Sequence, residues 1–345
     1  MAAPLISVCI PTYNGAATLA QALDSIVNQN CEGLEIVIRD DCSTDQTHQI
    51  ALEYADRFAF IRVFRGERNL GMDGNFVQTA LLGKGTYVWL MGQDDVFGPG
   101  AFDKFREIVR LHPDVDFVYF NFRSFGGDLT IEVVPPRLDI GEDAYFTSSA
   151  DYFRVFDHAP SFLPAAVLRR AFWDNTPYED FFATHYVQVG VWLRNFADGH
   201  TYVVADPRYV ICRIPEESWK YHGGQMLFEI ISGFAEVCFR VFHGPRNSLT
   251  PEVYHKTMTH FVRNLPIYAI YFRGKGFRLT PAIDARMKVM FGGKPVLYRL
   301  YVWPLMHLPR PVCLVLLKLH EFSGTRWLAR GLRRLISRIA GTAQV

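Results

Sequence analysis

Within the first hundred residues, short apolar runs repeatedly end at clusters of polar and acidic residues, and a helix-like pattern follows each. Residues 5–10 (LISVCI) run into Pro11-Thr12-Tyr13-Asn14-Gly15, and residues 34–38 (LEIVI) into Arg39-Asp40-Asp41-Cys42-Ser43-Thr44-Asp45. Residues 60–64 (FIRVF) lead to Arg68-Asn69-Leu70-Gly71, and residues 87–91 (YVWLM) to Gly92-Gln93-Asp94-Asp95. Runs this short, rich in β-branched and aromatic residues and bounded by turn formers, fit buried parallel strands. Leu19, Leu23, Ile26 and Val27 share one helical face after the first run; helices are also expected from about Gln46, through Leu81, and from Phe102 to Leu111. Ser43 or Thr44 is in position to cap the second helix. This alternation predicts a doubly wound α/β domain, with its polar loops at the carboxyl ends of the strands, where ligands bind in open sheets.

Adjacent carboxylates at such an edge repel each other unless a cation lies between them. A hard divalent ion that also carries diphosphate oxygens suits Asp94-Asp95. Standing alone, the pair reads more readily as a solvated turn; in series with the other strand ends it reads as a site. The loop Pro11-Thr12-Tyr13-Asn14 offers a hydroxyl, an aromatic face and helix amides to a nucleotide.

Half of the 345 residues are hydrophobic, enough for one large domain, expected over residues 1–225, and a helical, basic, membrane-associating region expected over 226–345. The formal charge of +1 conceals an asymmetry, because residues 226–345 hold 18 Lys and Arg against 5 Asp and Glu. Such halves usually face different partners. Cys9, Cys31, Cys42, Cys212, Cys238 and Cys313 show no CxxC spacing, so neither a disulfide framework nor a zinc site is indicated and a reducing cytosol fits best. The opening MAAPLISVCIPTYN lacks the basic start and long apolar run of a signal peptide. No GxGxxG stands after the first strand, which argues against a dinucleotide dehydrogenase, and no GxGxR loop supports a nucleotidyltransferase.

Four segments in register, Ser7 to Asn14, Glu35 to Asp45, Asn69-Leu70-Gly71 with Asn75, and Gly85 to Asp95, resemble the family 2 glycosyltransferases of the GT-A fold. The family often has DDGS where this chain has Asp40-Asp41-Cys42-Ser43. The resemblance implies a Rossmann-like mixed sheet, with residues 1–125 as the nucleotide-sugar half and 126–225 as the acceptor half. Pro11, Thr12 and Tyr13, with Asn14 beside them, would pack on base and ribose, and Asp41 would read the base. Asn69 and Asn75 would belong to the helix over the nucleotide, and Asp94 and Asp95 would be the DXD pair binding Mg²⁺ or Mn²⁺. A finer resemblance, carried by Asn69 to Phe76, Gly92 to Asp95 and Val210-Ile211-Cys212-Arg213, is to bacterial abequosyltransferase-like enzymes. It implies hexosyl or deoxyhexosyl transfer to a polyprenyl-diphosphate-linked glycan of O-antigen or exopolysaccharide type.

Residues 117–122 read as a further strand, residues 126–160 as loops that shape an acceptor cleft, and residues 161–170 as a helix. Inverting members of the family need a base for the acceptor hydroxyl, usually a carboxylate roughly 80 to 100 residues past the metal pair. Asp180 lies 85 past Asp95; His185 and Asp157 are alternatives, and a surface role for each stays open. Arg213, or Lys220 in the following loop, could offset diphosphate charge. Residues 296–319 are apolar but interrupted by Arg299, Pro304, Pro309, Arg310 and Pro311, too broken to span a bilayer. Leu328, Leu332, Leu335, Ile336 and Ile339 recur at helical spacing among Arg326, Arg330, Arg333, Arg334 and Arg338, with Trp327 nearby. That pattern predicts a helix on an anionic membrane surface, at the cytoplasmic face of the cytoplasmic membrane; packing on the chain's own acidic domain is the alternative. No nucleic-acid module accompanies the charge.

Overall fold

The computed structural model describes residues 3–156, 160–197, 199–214, 223–245, 248–274, 276–293 and 295–321. The expectations for Asp157, Lys220 and the 326–345 helix fall outside those residues. Two compact units emerge, residues 1–216 with 245–248, and residues 217–244 with 249–345.

In the first unit β1 (Ile6–Thr12), β2 (Leu34–Asp40) and β4 (Tyr87–Leu90) are buried along their whole length. Strands covered on both faces require the near-continuous apolar runs seen in the sequence. With β3 (Ile61–Arg65) they form a parallel block in the order β3-β2-β1-β4. Helices α1 (Leu19–Val27), α2 (Thr47–Arg57) and α3 (Gly71–Leu82) connect these strands, and α4 (Ala101–Leu111) follows. Trp89 of β4 anchors the core, its ring against Phe97, Phe102, Phe105 and Phe120.

The sheet continues from β4 through β10 (Ala166–Arg169), β6 (Val115–Phe120) and β11 (His200–Val204) to β9 (Ala144–Phe146). The helix expected over 161–170 is thus replaced by a short turn and β10, which lies antiparallel to both neighbours. Tertiary pairing decides the matter. Trp89 Nε1 donates to the Pro164 carbonyl at 2.8 Å, and Val167 and Leu168 are buried between β4 and β6. A second sheet has the order β5 (Val96–Phe97), β12 (Val210–Ile214), β7 (Arg123–Gly126) and β8 (Glu132–Val134). Helices α5 (Ser149–Val155), α6 (Arg170–Asp174) and α7 (Val187–Asn195) complete the unit.

The start of α2 differs from expectation. Asp45 Oδ1, not Ser43 or Thr44, accepts the Thr47 N–H at 3.0 Å. Ser43 Oγ is engaged elsewhere, accepting the Asn14 N–H at 2.9 Å.

The second unit is helical in its described residues: α8 (Gly223–Phe242), α9 (Pro251–Gly274), α10 (Pro281–Phe291) and α11 (Arg310–Glu321), with short turns between α10 and α11. Phe228, Phe261, Leu265, Phe272 and Met287 share its core. Inside it, buried Glu236 pairs with Arg286 at 2.7 Å and Arg240 at 2.6 Å.

Candidate active site

Chain order reverses between β1 and β4, so the loops at their carboxyl ends diverge and leave a crevice. Gln93 bridges it: its Oε1 accepts the Tyr13 N–H at 2.9 Å and its Nε2 donates to the Tyr13 carbonyl at 3.0 Å. The side-chain amide thereby extends the β1–β4 pairing past its last backbone rung. A methyl group at Gly15 would lie 2.2 Å from Gln93 Oε1, so a larger residue there would push the Gln93 amide out of the bridge. The bridge fixes the Tyr13 backbone while the residue stays 47% exposed, an aromatic group open to stacking. Asn14, at φ 49°, accepts the Thr44 N–H at 2.9 Å and ties the β1 loop to the β2 loop.

Beneath these loops a buried network joins β1, β2 and α3. Arg39 Nη1 donates to Asp41 Oδ1 at 2.8 Å and to Asn75 Oδ1 at 2.7 Å, while Asn75 Nδ2 donates to the Thr12 carbonyl at 3.2 Å. Asp41 Oδ2 accepts the N–H groups of Leu70 and Gly71 at 2.8 and 3.1 Å, and Asn69 Oδ1 accepts the Gly71 N–H at 2.8 Å. The first amides of a helix need external acceptors. Both Asp41 oxygens are engaged by protein donors, so what the structure gives this residue is the anchoring of α3. Pro11, inside β1 opposite Arg39, and Thr12 are buried in the same network.

The β4 end carries the acidic pair. Pairing of β5 with β12 (Val210 opposite Phe97, Ile211 opposite Val96) brings Arg213 alongside it. The Arg213 N–H donates to Asp95 Oδ1 at 2.9 Å, and its Nε donates to the Asp94 carbonyl at 2.6 Å. Its remaining guanidinium nitrogens reach the Gly127 carbonyl and, at 2.5 Å, Gln21 Oε1. Arg213 is therefore a buried clasp under the acidic loop, its donors committed within the protein. A methyl at Gly92 would lie 2.5 Å from Asp95 Oδ2 and 2.9 Å from Asp94 Oδ1. One oxygen of each carboxylate thus borders the same small volume.

Burial, and then the adjacent Asp94 charge, push the Asp95 carboxyl well above the ordinary aspartate range, and Arg213 offsets this only in part. Burial raises Asp94 as well. Two desolvated carboxylates with converging oxygens fit a hard divalent cation, the kind of ion held through one or two carboxylates plus phosphate oxygens. Among the described residues no three His, Cys, Asp or Glu side chains gather around one point. Asp94 and Asp95 would supply part of a Mg²⁺ or Mn²⁺ shell, leaving the rest to phosphate oxygens and water.

The two candidate bases lie in different settings. Asp180, half exposed in the Tyr178–Phe181 turn, pairs with Arg194 at 2.8 Å. His185 lies in a turn where Ala183 and His185 both have left-handed backbones, φ 63° and 67°. Asp73 of α3 secures that turn, its Oδ2 accepting the His185 N–H at 2.9 Å and its Oδ1 the Val187 N–H at 3.2 Å. The structure thus ties His185 to the helix that Asp41 anchors, and ties Asp180 to α7. Arg39, Asp73 and Gln93 were not singled out by sequence reasoning. Each lies inside a motif, but its role depends on partners 36 to 114 residues away.

Residues 7–174 match the sequence profile of glycosyl transferase family 2. The chain is 28% identical over 238 residues, 64% of its length and 69% of the relative's, to the abequosyltransferase RfbV of Salmonella typhimurium. It is 30% identical over 154 residues to a PGL/p-HBAD biosynthesis glycosyltransferase of Mycobacterium bovis, covering 42% of this chain and 60% of that one. Among solved structures it resembles residues 1–349 of TarS from S. aureus in complex with UDP, at TM-score 0.57 and 16% identity, over 84% of this chain and 86% of that chain. It also resembles the mannosyltransferase PcManGT of Pyrobaculum calidifontis in complex with GDP-Man and Mn²⁺, at TM-score 0.54 and 15% identity, over 94% and 89%.

Proposed function

Because the chain belongs to the family 2 glycosyltransferases and has their GT-A fold, we propose that it moves a sugar from a nucleoside-diphosphate donor to a hydroxyl of a polyprenyl-diphosphate-linked glycan. The setting is bacterial cell-surface polysaccharide synthesis of O-antigen or exopolysaccharide type, at the cytoplasmic face of the cytoplasmic membrane. The Salmonella relative and the finer motifs support the class of product. The observation that carries the reading is the convergence of Asp94 and Asp95 beside Gly92, at the strand end where the sheet leaves its crevice.

In this reading Tyr13 stacks on the base, and the Thr12–Arg39–Asp41–Asn75 network fixes the walls of the nucleotide pocket. Asp94 and Asp95 would hold Mg²⁺ or Mn²⁺, which when bound neutralises charge developing on the departing diphosphate. Transfer is a single inverting displacement: the acceptor oxygen bonds to the anomeric carbon as the bond from that carbon to the diphosphate oxygen breaks. The nucleoside diphosphate leaves with the electron pair, and the acceptor proton passes to Asp180 or His185. Residues 326–345, with their arginines and helically spaced apolar side chains, would hold the enzyme at the membrane.

Incubation of the purified chain and Mn²⁺ with UDP-, GDP-, CDP- and dTDP-sugars, with released nucleoside diphosphate as the readout, tests this. Turnover of one donor supports the transferase; nucleotide binding without turnover of any donor or acceptor would favour a silent scaffold that has kept the fold.

A further inference from the structure

The second unit exposes an apolar surface that its own core does not use. Between α10 and the end of α11 lie two short helical arms, Tyr298–Met306 and Arg310–Lys318, bent by 85°. The bend is built into the unit. Arg273 of α9 donates to the Met306 carbonyl at 3.1 Å and to that of Leu308, two acceptors at the break. Pro309 and Pro311 flank it and cannot supply the amides that would continue a helix.

Both arms turn large apolar side chains to solvent. Leu300 and Trp303 of the first arm, with Val296 one turn before Leu300, are 77%, 48% and 69% exposed, and Val312, Val315 and Leu316 repeat the pattern in α11. Scattered exposure of single residues is ordinary, whereas two stripes on consecutive arms mark an interaction surface. No single helix among the described residues is long and apolar enough to cross a membrane. α11, with 12 residues, reaches about 18 Å against a hydrocarbon core of about 30 Å.

Cationic groups accompany the stripes. A cavity of about 490 Å³ is lined by Arg299, Trp303 and His307 from the first arm and by Thr280, Asp284 and Lys288 beside it. Asp284 is already neutralised by Lys288 at 2.6 Å and accepts the Tyr298 hydroxyl at 2.7 Å. Arg299 has no ion-pair partner among the described residues. Residues 226–345 as a whole carry more than three Lys or Arg for every Asp or Glu.

We propose that the arms spanning residues 296–316 are a docking surface for an anionic phospholipid bilayer. They lie in the plane of the headgroup region, the apolar stripes immersed and Arg299 against lipid phosphate. Apolar side chains flanked by cations, on helices too short to span, fit that occupant. The inference goes beyond the donor-site reading, since it concerns the second unit alone and stands whether or not the first unit turns over. It adds a second membrane contact to the one proposed for residues 326–345.

The test uses the full chain, sedimented with vesicles of phosphatidylcholine alone or mixed with phosphatidylglycerol. Binding is expected to the mixed vesicles. Leu300→Glu with Val315→Glu should weaken it about a hundredfold, and Arg299→Gln about fivefold, only where phosphatidylglycerol is present. All three side chains are exposed, so the variants should fold, as circular dichroism would verify. Nucleotide binding by the same variants separates a failure here from a failure of the donor site. Undiminished vesicle binding by the double variant would overturn the proposal. So would a dimer in gel filtration that the double variant makes monomeric, because the face would then belong to a second copy of the chain.

Discussion

The main sheet carries a buried carboxylate at its amino end and an acidic pair at its carboxyl end, and the two are built on opposite principles. At the amino end, Glu35 of β2 accepts the Ser7 hydroxyl at 2.6 Å, Arg62 at 2.9 Å and the Lys84 N–H. Burial works against its charge, yet these donors outweigh burial and hold the carboxyl below the ordinary glutamate range. At the carboxyl end, buried Asp95 lies beside half-buried Asp94, and the carboxyls of both are pushed up. Glu35 has an arginine and two further donors on its oxygens; the aspartate pair has the Arg213 N–H on Asp95 Oδ1, too little to offset its burial. A carboxylate completed by its own chain contributes to folding, and a pair left short of positive charge is shaped for something that arrives later.

Four tests can break or sharpen that contrast. The largest effect belongs to the acceptor side of the functional edge. Of Asp180→Asn and His185→Gln, the one that removes the base should lower kcat by about 10²–10⁴-fold, and the other should stay within about tenfold of wild type. Transfer assays with donor and acceptor decide between them, and equal, full rates in both would remove both candidates. Next, Gly92→Ala should weaken metal-dependent nucleotide binding by about 10- to 100-fold, because the new methyl would meet both aspartates inside 3.0 Å. Unaltered affinity in calorimetry would mean that the carboxylates need not converge there.

At the other end, Glu35→Gln should cost about 1–2 kcal/mol in urea unfolding while nucleotide affinity is unchanged, since the lost bonds are structural. A change in affinity would break the division between the edges. The smallest effect is its pH dependence. The folded carboxyl of Glu35 is depressed, so its stabilisation is complete above the unfolded carboxylate range and is lost as pH falls through the folded value. Acid unfolding followed by circular dichroism should show a shallower stability loss in Glu35→Gln than in wild type. Parallel curves would contradict the assignment.

The same contrast explains what could be read from sequence. β1, β2 and β4 were legible because a strand covered on both faces must be an apolar run, and Asp94-Asp95 because two acids follow such a run. β10 was not, since a short segment after Pro164 becomes a strand only by being received between β4 and β6. The second sheet was equally hidden, built from strands of two to five residues. Arg213 could be singled out from sequence but not as a clasp under the acidic pair, because its donors reach Asp94, Gly127 and Gln21 across distant parts of the chain. Asp41 behaves similarly: the motif marks it, and only the packing of α3 against β2 shows which groups its oxygens hold.

The most direct test of the acidic edge is calorimetric titration of UDP, GDP, CDP and dTDP into wild type and Asp95→Asn, each with and without Mn²⁺. The account predicts that one nucleotide binds wild type tightly only with Mn²⁺, and that Asp95→Asn loses this metal-dependent component while its melting temperature does not fall. Equal Mn²⁺-dependent binding by the variant, or no metal dependence in wild type, would contradict it.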